Sequence, residues 1–124
     1  MPSVGIQKED LEAIAGLCRN DLGMEMLHCL FAVDYEDHLE VNYVLFSISN
    51  DQKMLLKIDL PSEKPSVGTL EDLWLSANWY ERETRDLFGV EFAGGTDVSP
   101  LLLFEGFEGN PGLKSFPLHE YEEW

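Results

Sequence analysis

Basic side chains are scarce in this 124-residue chain: eight Lys and Arg stand against 24 Asp and Glu, giving a formal charge of −16 and a pI near 4.2. Such a field repels phosphate backbones and anionic headgroups, which excludes direct nucleic-acid binding. The acid serves either to keep the surface soluble or to dock on a basic partner. Cysteine is equally sparse. Cys18 and Cys29 are too distant in sequence for a CxxC redox pair, and two are too few for a disulfide scaffold, so a reduced cytosolic setting fits best. No stretch approaches the ~18 continuous apolar residues of a membrane span, and the first residues lack the basic start and apolar run of a signal peptide. Attachment to a membrane would therefore run through another subunit. Hydrophobic residues at 44% and aromatics at 11% nevertheless suffice for a core, which argues against disorder. The length fits one domain of ~100–150 residues.

Hydrophobic periodicity then orders the chain. Leu11, Ile14, Ala15 and Cys18 recur at helical spacing and predict an amphipathic helix over Gln7 to Asn20, ending by Gly23. Met24 to Val33 and Leu39 to Ser49 are rich in branched and aromatic residues and read as strands joined by the polar run 34–38. In a third strand Met54, Leu56, Ile58 and Leu60 alternate with Leu55, Lys57 and Asp59, placing one face in the core. Pro61 to Pro65 breaks that strand. Thr69-Leu70-Glu71-Asp72 has the form of a capping box and predicts a short helix. A second helix follows, capped by Asn78 or begun at Ser76, and stopped at Gly89. The expectation is an α+β fold with an N-terminal helix, a mostly antiparallel sheet of three or more strands, and short helices near residue 80.

From Gly94 the texture changes, with five glycines and three prolines before the end. Residues 95–124 hold six acidic side chains against Lys114 alone, yet carry Phe104, Phe107, Phe116, Tyr121 and Trp124. The chain thus divides into an α+β unit over 1–94 and an irregular acidic and aromatic tail over 95–124. That tail either orders on a partner or packs back on its own domain.

Little in the sequence supports catalysis. On a helix from Asn78, Glu81 stands four residues before Arg85 and Arg82 four before Asp86, which predicts two ion pairs along one exposed side. Trp79, Tyr80 and Phe88 occupy the remaining sides and are expected to anchor the helix to the sheet. Glu81 and Glu83, two apart, point away from each other and cannot share a substrate atom. His28 and Cys29 are neighbours facing opposite sides of a strand, and His38 and His119 lie far off, so no metal-ligand spacing emerges. The glycines at 94–95 and 106–112 lack both a GxGxxG order and a following Lys-Ser/Thr. A serine elbow is also missing. Two readings outside assembly stay open, a free-standing acidic adaptor or inhibitor and a small hydrolase using Glu83 or His119.

The run Glu81-Arg82-Glu83-Thr84-Arg85-Asp86-Leu87-Phe88-Gly89-Val90 resembles the ERE..D..G hallmark of the thirty-kilodalton subunit family of respiratory complex I (NADH-quinone oxidoreductase). The likeness extends through Leu73-Trp74, Ala77-Asn78-Trp79-Tyr80 and Phe92, and more loosely through Ala32-Val33-Asp34-Tyr35 and the two strands that follow. It covers nearly the whole chain and is diagnostic from Leu73 to Phe92. It implies an α+β subunit with no cofactor and no catalytic site of its own, in the peripheral arm of an electron-transporting, proton-translocating machine. Its partners would be a hydrogenase-like large subunit and iron-sulfur subunits near the quinone, at the cytoplasmic face of the cell membrane. The family motif would place Trp79, Glu81, Arg82, Glu83, Asp86, Phe88, Gly89, Phe92, Phe116 and Pro117 at the subunit interface.

Two departures from the family stand out. Where the family has a His-Pro-Asp-Leu-Arg-Arg run this chain reads Gly95-Thr96-Asp97-Val98-Ser99-Pro100, and Gly109 to Leu118 likewise lacks the family's His and Arg. The chain is also short for a respiratory member of the family, which favours a divergent relative such as the equivalent subunit of an energy-converting nickel-iron hydrogenase.

Overall fold

The structure is a computed structural model and describes residues 2–94 together with Leu113. Phe116, Pro117 and His119 lie outside the described residues, as does the expected tail apart from Leu113, which packs against the core.

The chain forms an α+β fold. Strand β1 (Ser3–Ile6) leads through a 3-10 turn (Lys8–Asp10) into helix α1 (Leu11–Asn20), and strands β2 (Met26–Asp34), β3 (His38–Ser47) and β4 (Gln52–Pro61) follow. After them come β5 (Ser66–Gly68), helix α2 (Ser76–Phe88) and β6 (Glu91–Ala93). The main sheet has the order β1-β4-β3-β2. Its β2–β3 and β3–β4 pairs are antiparallel, with Val41 opposite both Ala32 and Ile58, while β1 joins β4 in parallel.

Why β3 is central is written in its side chains: Leu39, Val41, Tyr43 and Leu45 are each at most 1% exposed, and Asn42 and Val44 on the opposite face are also buried. Alternation in β4 works as its period requires, burying Leu56, Ile58 and Leu60. Leu11, Ala15 and Cys18 of α1 join these side chains in one core cluster with Ala77 of α2, so both helices pack on the same body.

Three elements depart from the periodicity. Strand β1 carries no readable period because it is four residues long and only Ile6 is half-buried. Strands β5 and β6 form a separate parallel pair, with Val67 opposite Phe92, too short to carry a period. No helix forms at Thr69. Its amide is held by the Ala93 carbonyl at 2.9 Å, and its hydroxyl accepts only the Glu71 amide at 3.2 Å. Burial of Leu70 and Trp74 then folds residues 70–74 into a turn, closed by the Trp74 amide on the Leu70 carbonyl at 3.1 Å.

Helix α2 stops where the sequence says it should. Gly89 adopts a left-handed φ of 77°, and its amide caps the Arg85 carbonyl at 2.9 Å. A side chain there meets the steric penalty of the left-handed region, about 1 kcal/mol. Gly89→Ala is therefore expected to lower the melting temperature by about 5 °C. A circular-dichroism melt unchanged from the parent would show that the cap contributes nothing.

Candidate docking site

Helix α2 is the element that carries the charged stretch, and its faces are set by what surrounds it. Ala77, Glu81 and Thr84 are buried, with Phe88 partly buried on the same stripe, so residues spaced by four, three and four face the body. Three side chains then fasten this region to the start of β2. The Trp74 Nε1 donates to the Met24 carbonyl at 3.0 Å, the Ser76 hydroxyl to Leu27 at 3.2 Å, and the Tyr80 hydroxyl to His28 at 2.9 Å. A register shift in β2 between Leu27 and Cys29 accompanies these contacts, leaving His28 out of the ladder register.

Several expectations for the helix change in consequence. Asn78 is not its cap: the helix starts at Ser76, and the Asn78 amide nitrogen donates to Glu71 at 3.2 Å. Glu81 and Asp86 do not line an exposed side, being 4% and 5% exposed: the stripe that meets the core runs through position 81, and Asp86 is buried on the other side of the helix. Among the described residues Asp86 makes an ion contact with Arg85, at 3.6 Å. Trp79 does not anchor the helix; it is 56% exposed, and Tyr80 and Phe88 are the rings that pack inward. Arg82 and Glu83 are half-buried, Gly89 is the cap, and Phe92 packs on the core from β6.

Glu81 is a strongly perturbed carboxylate. Its Oε1 accepts the Thr69 hydroxyl and its Oε2 accepts the Leu70 amide at 2.8 Å, tying α2 to the turn before it. Burial pushes its pKa from 4.5 up to about 7; the two hydrogen bonds pull against that shift, and the nearby charge of Glu71 adds to it. Tyr43 of β3 is fully buried and its hydroxyl has no hydrogen-bond partner among the described residues. Burial, and secondarily the charge of Glu81, pushes the Tyr43 phenol upward. A buried carboxylate with both oxygens occupied offers nothing to a substrate, so its role is structural.

Between the lead-in turn of α2 and the start of β2 lies an open groove of about 610 Å³, lined by Arg19, Leu27, Leu73, Leu75, Ser76 and Tyr80 among others. Arg19 donates through Nε to the Leu73 carbonyl and so holds the turn from the α1 side. On the outer surface, Leu75 is 92% exposed and Trp79, one turn on, 56%. Met26 and Ile48 are exposed near the same groove. Large apolar side chains gathered in this way suit burial against a partner rather than proton transfer. The sequence hid the groove because its walls come from four separated segments. Only the Leu73-Trp74-Leu75 run hinted at it. Among the described residues no three His, Cys, Asp or Glu side chains gather as a metal site requires.

The chain as a whole has known relatives. Residues 4–122 match the family described as respiratory-chain NADH dehydrogenase, 30 Kd subunit. The chain is 36% identical over 123 residues to the C-type subunit of NADH-quinone oxidoreductase from Erythrobacter litoralis, covering 97% of this chain and 49% of that one. It thus spans about half the length of that relative. Among solved structures, the trypsin-resistant fragment of Nqo5 superposes with a TM-score of 0.72 at 28% identity, over 77% of this chain and 80% of the fragment. A chain of the membrane-bound sulfane sulfur reductase, an archaeal respiratory membrane complex, shares the fold over 94% of this chain and 71% of its own, with a TM-score of 0.83 at 21% identity.

Proposed function

This chain belongs to the family of the 30 Kd subunit of respiratory-chain NADH dehydrogenase, and from that premise we propose that it is a non-catalytic assembly subunit in the peripheral arm of a complex I-type oxidoreductase. In this reading it packs on the hydrogenase-like large subunit, near the quinone and the iron-sulfur relay, and other subunits hold it at the cytoplasmic face of the membrane. No helix among the described residues is long and apolar enough to cross a bilayer. The name of the Erythrobacter relative favours an NADH:quinone machine over a hydrogenase.

The observation that carries the proposal is the outer face of α2 and its lead-in turn. Leu75 and Trp79 are held outward on a segment whose inner side is fastened to β2 by Trp74, Ser76 and Tyr80. A rigid base under exposed apolar side chains is what a docking surface needs, since little ordering entropy is lost on binding. Arg82 and Glu83 flank this patch and set its charge pattern, and the acidic tail over 95–124 extends the contact.

Arg82→Ala tests the division between assembly and folding. A half-buried surface charge contributes at most about 1 kcal/mol to the isolated domain, whereas a charge enclosed at an interface contributes more. Co-expressed with the remaining subunits, the variant is expected to be recovered in the complex at several-fold lower yield while its own melt shifts by no more than about 5 °C. Equal losses of melting temperature and of recovery would contradict the assignment. Turnover of NADH with a quinone by the isolated chain would do so as well.

A further inference from the structure

Among the described residues, both helices pack on one side of the main sheet. Tyr43, Leu56 and Ile58 join α1 and α2 in the core cluster, so the alternate positions of β3 and β4 point the other way. Strand register sets those outward positions in rows. Met26, Phe46 and Lys53 stand abreast on β2, β3 and β4, followed by Cys29, Val44 and Leu55, and then by Phe31, Asn42 and Lys57. An antiparallel sheet that meets water usually carries polar residues on its outer face, but most of these are apolar. Phe31 is exposed, and Val44 is buried yet stands outside the core cluster. The Asn42 Nδ2 is enclosed and finds no acceptor among the described residues. The next row, Val33, Glu40 and Asp59, turns acidic and ends the patch.

On the assembly role proposed above, on which this rests, we propose that the outer sheet face is a second half of the docking surface. The subunit seated on α2 wraps around the β2 edge and covers this face with an apolar patch fringed by carboxylates. Met26 makes the two halves continuous, since it is exposed, lines the groove beside Leu75 and also opens the first row of the sheet face. Lys53 and Lys57 set the charge of the cover, because two of only eight basic residues lie here, with Lys53 5.9 Å from the centre of the Phe46 ring. A second copy of the chain is a poorer occupant, as it would bring a charge of −16 against −16. Asn42 supplies the polar contact. With Phe31 turned aside, an acceptor on the partner reaches Nδ2 and relieves a donor that is costly to leave unpaired.

Alkylation of the two thiols by iodoacetamide, on the full chain alone and within the complex, tests the cover. Cys29 is half-buried on this face and Cys18 is enclosed in the core, so Cys18 serves as the internal reference. Cys29 should react faster than Cys18 in the free chain and slow roughly tenfold on assembly. Lys53→Glu should leave the isolated melt unchanged and weaken binding roughly tenfold. Asn42→Leu should melt no lower than the parent yet also bind more weakly. Cys29 equally reactive free and assembled would overturn the proposal, as would Cys29 already as slow as Cys18 in the free monomer, where the chain covers its own face. Protection that appears only as the free chain dimerises, or parent affinity in Lys53→Glu, would do the same. Any of these beside a weakened Trp79→Ala complex removes the sheet face alone, whereas an undisturbed Trp79→Ala complex counts against the α2 surface.

Discussion

Trp74→Ala is expected to melt about 20 °C below the parent chain. Trp74 is 4% exposed and lies in the same cluster as Leu11, Tyr43 and Ile58, so truncation opens a void that a close-packed interior only partly fills. Losses of about 3–5 kcal/mol accompany such changes, and each kcal/mol lowers the midpoint of a domain this size by about 4–8 °C. A second effect adds to the first, since the Met24 carbonyl loses the indole N–H that it accepts at 3.0 Å. Trp74→Phe separates the two. It retains most of the ring and gives up the hydrogen bond, and should cost about 1–2 kcal/mol. A Trp74→Ala melt within about 5 °C of the parent would mean that the 70–75 turn unfolds independently of the sheet.

Trp79→Ala should have the largest effect on assembly and almost none on the fold. An indole that is 56% exposed leaves little void when removed, so the isolated chain should melt within about 3 °C of the parent. At an interface the same ring is the kind of side chain that dominates binding, where truncation typically costs about 2 kcal/mol or more, roughly thirtyfold in affinity. Leu75→Ala, one turn earlier at 92% exposure, should weaken binding in the same direction by a smaller factor. Titration of the chain into the remaining subunits measures both. Unchanged affinity in Trp79→Ala would move the contact off this face, and with it the proposed role of α2.

The contrast between Trp74 and Trp79 shows where a linear reading reaches its limit. Both lie in the stretch that resembles the family, and Trp79 rather than Trp74 is the one expected to anchor its helix. The turn buries one and the helix exposes the other, because Leu70 and Trp74 fold inward together and α2 then meets the body through Ala77, Glu81, Thr84 and Phe88. Helical spacing identifies which residues share a side. It does not say which side meets the core, since the stripe through 81 is no more apolar than its neighbours.

Local chemistry was sufficient for what repeats over many residues or demands a special backbone. The α1 stripe of Leu11, Ala15 and Cys18, the alternation of β4, the branched and aromatic residues of β3 and the left-handed stop at Gly89 each depend on neighbours close in the chain. The sequence also contained the family likeness through the residues from Leu73 to Phe92. Contacts between distant segments were decided only by the tertiary structure. The parallel seating of β1 on β4, the β5–β6 pair, the burial of Glu81 under Thr69 and Leu70, and the fastening of α2 to the carbonyls of Met24, Leu27 and His28 all join residues with no periodic relation to one another. They form because burying Leu70, Trp74 and Ala77 against the sheet removes apolar surface from water, and the polar atoms carried inward must then find partners where the chain happens to cross.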